Sequence, residues 1–187
     1  MSSHLDYEIN KELGECYLFM GDLEKAHEYY SKAVTCNGVH PDPYLGLATI
    51  AVQRGDLDDA LQLYTKAASI DADDKSLAGM GLVEMELGRH EEAFGHFAGA
   101  LERNPENLIA VFMMVQLGHT LGRIEETLPH MENFLAISPL KHDVRYSLAG
   151  CLSCLGRTDE AMAHLEQILA NDPSHEAARE LLEQLRS

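Results

Sequence analysis

The chain has 187 residues, 45% of them hydrophobic, and a formal net charge of −17 from 31 acidic and 14 basic residues. That length can bury one continuous core, and the acidity excludes nucleic-acid backbones and anionic membrane surfaces as expected partners. The opening Met1-Ser2-Ser3-His4-Leu5-Asp6 has neither a basic segment nor an apolar core, and no run of about 18 apolar residues occurs, so a cytoplasmic protein with four reduced cysteines is expected.

In chain order, the first apolar pattern is Ile9, Leu13, Cys16, Tyr17 and Met20, spaced as on one face of a helix. It stops at Gly21-Asp22-Leu23-Glu24-Lys25-Ala26, after which Leu23, Ala26, Tyr30, Ala33 and Val34 begin a second helical pattern. Glycine suits the stop because it accepts the left-handed backbone common at helix C-termini. The hexapeptide then returns, led by Gly55, Gly88, Gly122 and Gly156, at intervals of 34, 33, 34 and 34 residues. Each period is thus a helix, a tight turn and a second helix. First helices are predicted over residues 7 to 20, 42 to 54, 75 to 87, 108 to 121 and 142 to 155. Second helices are predicted over 23 to 36, 57 to 69, 90 to 103, 124 to 136 and 158 to 170.

Breakers close the second helices: Asn37-Gly38, Asn104-Pro105, Ser138-Pro139 and Asp172-Pro173. Asp73, Asn107 and Ser174 are the expected caps of the helices that follow. Carboxylates fall just after each repeated glycine, where the dipole of a new helix favours them. A last helix carries an apolar stripe of Ala177, Leu181, Leu182 and Leu185 and is expected to cover the end of the stack.

These residues resemble the tetratricopeptide repeat family, whose unit is 34 residues. The signature of small and aromatic residues stands as Leu13-Gly14, Tyr17, Ala26, Tyr30 and Ala33 in the first unit. It continues as Leu47-Ala48, Ala60, Tyr64 and Ala67 in the second, and as Gly81, Ala93, Phe97, Ala100 and Pro105 in the third. The fifth keeps Leu148-Ala149, Ala161 and Pro173, while the family's tryptophan is absent throughout. The resemblance implies an all-α, right-handed solenoid of stacked antiparallel helix pairs. Five repeats are expected, over residues 7–40, 41–73, 74–107, 108–141 and 142–174, with a capping helix over 175–186, forming a single domain.

Small residues let helix backbones approach closely, and the aromatics fill the wider gaps. The fourth unit departs from this: Thr127 and Phe134 replace alanines, and Pro129 falls inside its second helix. A wider helix pair is expected there, together with a bent axis or a late helix start.

Chemistry is sparse. Cys151 and Cys154 place two thiols on one side of a helix, but mid-helix rather than at an N-terminus that would lower a thiol pKa. No second CxxC or nearby HxxxH completes a zinc site, so the pair reads first as small packing residues. Ten histidines are dispersed, and nucleophile elbow, P-loop, dinucleotide fingerprint and HExxH are all absent. No enzyme, metal or cofactor is expected.

In the family resembled, the first helix of each pair lines a concave groove that receives a segment of another protein. Carried over, the binding residues are Lys11, Glu15 and Phe19, then Leu45, Thr49 and Val52, then Lys75, Leu82 and Met85. The fourth unit adds Ile109, Phe112, Gln116 and His119, and the fifth Tyr146. Lys11 and Lys75 also match two places of the family's clamp for chaperone C-terminal carboxylates. Glu15, Gly46 and Gly79 occupy its other places, so binding of such tails is not expected. The expected function is a protein-interaction module, adaptor, scaffold or assembly chaperone, for a neutral to basic partner with apolar anchors. Two other readings stand beside it: a scaffold that self-associates into a homo-oligomer, and a metal- or redox-responsive protein using the CxxC.

Overall fold

The computed structural model describes residues 2–187, with side chains from His4 onward. Among the described residues all regular structure is helical. The elements are α1 (Ser2–Phe19), α2 (Leu23–Cys36), α3 (Asp42–Arg54), α4 (Leu57–Ile70), α5 (Asp74–Glu86), α6 (His90–Arg103), α7 (Leu108–Leu121), α8 (Ile124–Ile137), α9 (His142–Cys154), α10 (Thr158–Asn171) and α11 (Glu176–Arg186). They gather into two compact units, one ending at Arg103 with α1 to α6 and one beginning at Asn104 with α7 to α11.

The repeated glycines set the boundaries. Gly21, Gly55, Gly88, Gly122 and Gly156 all have φ between 70° and 82°, a conformation that a side chain would strain. In every repeat the residue after the glycine donates its N–H to the carbonyl five residues earlier. The pairs are Asp22 to Tyr17 (2.9 Å), Asp56 to Ala51 (2.9 Å), Arg89 to Glu84 (2.8 Å), Arg123 to Gly118 (2.7 Å) and Arg157 to Leu152 (2.9 Å). This closes the first helix with a Schellman turn and reverses the chain into the second. Acidic residues occupy the first turn of each second helix, among them Asp58 and Asp59 in α4 and Glu91 and Glu92 in α6.

Within the first unit, aromatic rings are seated on glycines. A Cβ on Gly14 would come within 2.8 Å of the Tyr30 ring, and one on Gly46 of the next pair within 2.3 Å of the same ring. Tyr64 meets Gly79 in the same way at 2.3 Å, and Phe97 meets Gly81 at 2.8 Å. Each ring is held between helices that only glycine lets approach so closely. Tyr30 is buried with Ala26, Leu47 and Ile50, and burial pushes its phenol up to about 12.

In the second unit the larger residues of the fourth repeat are absorbed. Thr127 is buried, its methyl occupying the space that a side chain at Gly118 would take, and its hydroxyl donates to the Ile124 carbonyl at 2.7 Å. Phe134 is buried as well.

Several sequence expectations need correction. α1 begins at Ser2 rather than near residue 7, because nothing ahead of Tyr7 breaks a helix. α8 does not start late: it begins at Ile124 and runs through Pro129. The carbonyl that loses its helical partner there is that of Glu125, and both residues are exposed, so water can satisfy it. Ser174 does not cap α11. His175 does, its Nδ1 accepting from the Ala178 N–H at 3.2 Å, while Ser174 donates to Asp172. On α11 it is Ala178 that is buried with Leu182, and Ala177 faces out. Asp73 and Asn107 cap as expected, accepting from Ser76 at 2.7 Å and Ala110 at 3.0 Å.

Candidate functional site

The first unit presents an apolar notch between α3, α4 and α5. Val52, Leu57, Tyr64, Gly79, Leu82, Val83 and Glu86 line about 220 Å³ of space. Val52 and Leu82 come from the two first helices and stand 38% and 37% exposed. Leu57 enters from the start of α4, just after the Gly55 turn, and Tyr64 lies two turns further along the same face of that helix. Gly79 gives the notch its depth, because any side chain there would collide with Tyr64. Glu86 is exposed and sets a carboxylate at the rim. The arrangement suits one apolar side chain of a partner, with a cation beside it.

Of the residues expected from the sequence, Val52 and Leu82 meet in this notch. Leu45 and Met85 are half-buried and do not line it, and Thr49 turns its hydroxyl back onto the Leu45 carbonyl at 2.9 Å. Lys75 and Glu15 are exposed. Lys11 is largely buried and spans Glu8 and Glu12 at 3.2 and 3.5 Å, so its charge is already engaged. Gly46 and Gly79 are committed to the Tyr30 and Tyr64 rings. Phe19, the last residue of α1, is exposed and is not part of the notch lining.

In the second unit Ile109 and Gln116 are exposed on α7 and Phe112 is half-buried. His119 is exposed, with Nε2 at 3.9 Å from the Cys151 Sγ. Tyr146 packs partly onto the core formed by Ala149, Leu165, Ile168, Ala178 and Leu182, its ring 5.8 Å from that of His175. The α8–α9 connection adds an apolar hollow at Ile137, Pro139 and Leu140 that the sequence reading did not single out.

Two groups were missed for a reason visible in the repeat. Leu57 lies on a second helix, and only first helices were considered for binding. Glu84 occupies the place held elsewhere by Tyr17, Ala51, Gly118 and Leu152, and a carboxylate there is a signal that aligning the repeats would have caught. It is buried, and its Oε2 lies 2.6 Å from Nδ1 of His96. That pair takes the slot in which Tyr17 stacks on Tyr29 in the first repeat, with centroids 5.4 Å apart.

The CxxC is split between environments: Cys151 is buried and Cys154 exposed. Burial is the main cause that pushes the Cys151 thiol above its ordinary range, away from the thiolate that metal or disulfide chemistry needs. Among the described residues no group of three His, Cys, Asp or Glu side chains is placed to hold a metal ion, and no helix is long and apolar enough to cross a membrane.

The sequence profile of a family described as tetratricopeptide repeat matches residues 20–80 and 119–185. BBSome complex member BBS4 of Bos taurus is 33% identical over 107 residues, which is 57% of this chain and 20% of that protein. The chain therefore spans a fifth of that relative's length. Among solved structures, YrrB, described as a TPR protein with an unusual peptide-binding site, superposes with a TM-score of 0.69 at 18% identity over 93% of this chain and 90% of its own. PilF of Pseudomonas aeruginosa gives 0.73 at 19% identity, over 91% and 78%. These likenesses show the fold, the all-α solenoid of stacked antiparallel helix pairs that the repeat led one to expect.

Proposed function

Because the chain belongs to the tetratricopeptide repeat family, we propose that it is a protein-interaction module that seats an apolar side chain of a partner segment in the notch between α3, α4 and α5. The observation that carries this is the pair Val52 and Leu82, left open over a hollow already walled by Leu57, Tyr64 and Val83. Apolar side chains around a concavity gain by taking in apolar surface, roughly 25 cal/mol for each Å² removed from water. The carboxylate of Glu86 and the net charge of −17 favour a partner with Lys or Arg next to the anchor. A solved relative in fold described by its peptide-binding site, and a sequence relative that is a member of a protein complex, support the role of adaptor or scaffold within an assembly. The family is typically non-enzymatic.

Panning a displayed library of random peptides on the purified chain tests the site. The expected peptides share an apolar residue flanked by a basic one, and they bind a Leu82→Arg variant of unchanged helical content at least about tenfold more weakly. Peptides that bind the variant as well as the unmodified chain would remove the notch from the account.

A further inference from the structure

The outer face of α1 is a second apolar surface, and the internal repeat says what covers such a face. Leu5 is 62% exposed, Ile9 48%, Phe19 95% and Met20 64%, with the exposed Cys16 among them. At 100° per residue these five lie within about 100° of one another around the helix. They are opposite Tyr7 and Gly14, which are buried.

Ile9 and Cys16 stand one period before Pro43 and Ile50, and two before Ser76 and Val83. Those four later residues are all buried. Ile50 clusters with Ala26 and Tyr30 of α2, and Val83 with Ala60 of α4. At this register a first helix is therefore covered by the second helix of the pair before it. On α1 the same register is apolar and open.

The flank of the stripe indicates the charge of the occupant. Glu8, Glu12 and Glu15 follow one another at helical spacing on the Phe19 side of Ile9 and Cys16, with Lys11 the one cation among them. A second copy packed antiparallel about a two-fold axis would set this acidic edge against its own image, and each copy carries −17. A helix with a basic flank meets opposite charge instead. The internal joint works this way at its own edge, where Glu24 of α2 reaches Arg54 of α3 at 2.7 Å.

We propose that the outer face of α1 docks an amphipathic helix of another protein, its apolar stripe on Ile9, Cys16 and Phe19 and its Lys or Arg residues along Glu8, Glu12 and Glu15. This surface is independent of the notch. The probe is a fluorescein-labelled peptide with the sequence of residues 22 to 37, the segment that covers the same register on α3, with Glu24 and Glu28 replaced by Lys. Anisotropy should show saturable binding that weakens with added salt. The double variant Ile9→Glu, Phe19→Glu, both changes being at exposed positions, should keep its circular dichroism and bind about tenfold more weakly or worse. The Leu82→Arg variant should bind like the unmodified chain. Absence of saturable binding, or equal binding by the double variant, overturns the proposal. So does a dimer in sedimentation equilibrium that the double variant dissolves, which would assign the face to a second copy.

Discussion

Gly79 and Gly95 are both helical glycines, and their surroundings predict opposite effects of the same substitution. At Gly79 a Cβ would lie 2.3 Å from the Tyr64 ring, whereas at Gly95 nothing lies within 4 Å. Gly79→Ala should therefore destabilise the protein by about 1 to 3 kcal/mol, since a packed ring has to move. Gly95→Ala should stabilise it by up to about 1 kcal/mol through helix propensity. Thermal unfolding of the two variants compares them directly, and a Gly79→Ala protein with an unchanged or higher Tm would show that the Tyr64 ring is not confined. A glycine at a first-helix place reads as a missing clamp residue in the sequence, and only the position of Tyr64 reveals that the space is filled from the neighbouring helix.

Among the elements, the α9–α10 pair shows how side chains and pH are coupled. Arg145 of α9 reaches Nδ1 of His164 on α10 at 3.3 Å, the Pro139 carbonyl at 2.9 Å, and the Gln167 side chain. Burial, and next the Arg145 charge, hold the His164 imidazole below its ordinary 6.5, with Glu132 and Glu160 opposing. The unfolded chain then binds a proton more readily than the native one. Stability from this group is full above pH 6.5 and falls as pH drops from there toward the lower native value. His164→Gln should flatten that part of the stability profile in urea titrations at a series of pH values, and an unchanged slope would mean that His164 is not held neutral. Element boundaries were largely legible in the sequence, because a glycine that must take a positive φ and a carbonyl pattern that closes behind it leave little freedom. What escaped was the cap of α11. His175 and Ser174 are neighbours that both offer an acceptor, and Asp172 takes the serine hydroxyl first. Pro129 also read as a stronger disruption than it is, since its lost hydrogen bond falls on an exposed face.

For the whole molecule, one 34-residue pattern builds two units with different outcomes. The first keeps small residues beneath its aromatic rings, and its first helices leave apolar residues open in a notch and on an outer face. The second accommodates larger residues and ends beneath α11, where Leu182 is buried and Leu181 and Leu185 are partly so. Only part of the notch was legible: Val52 and Leu82 follow from their places on first helices, while Leu57 and the enclosing contact of Tyr64 with Gly79 depend on how neighbouring pairs close. The most direct test of the central claim replaces Leu82 with a photo-cross-linking amino acid, with Thr35 on the exposed side of α2 as control, and irradiates each protein with a peptide selected by panning. Adducts are expected from position 82 alone, formed at the apolar anchor of the peptide. Equal adducts from position 35, or none from position 82 with a bound peptide, would contradict it.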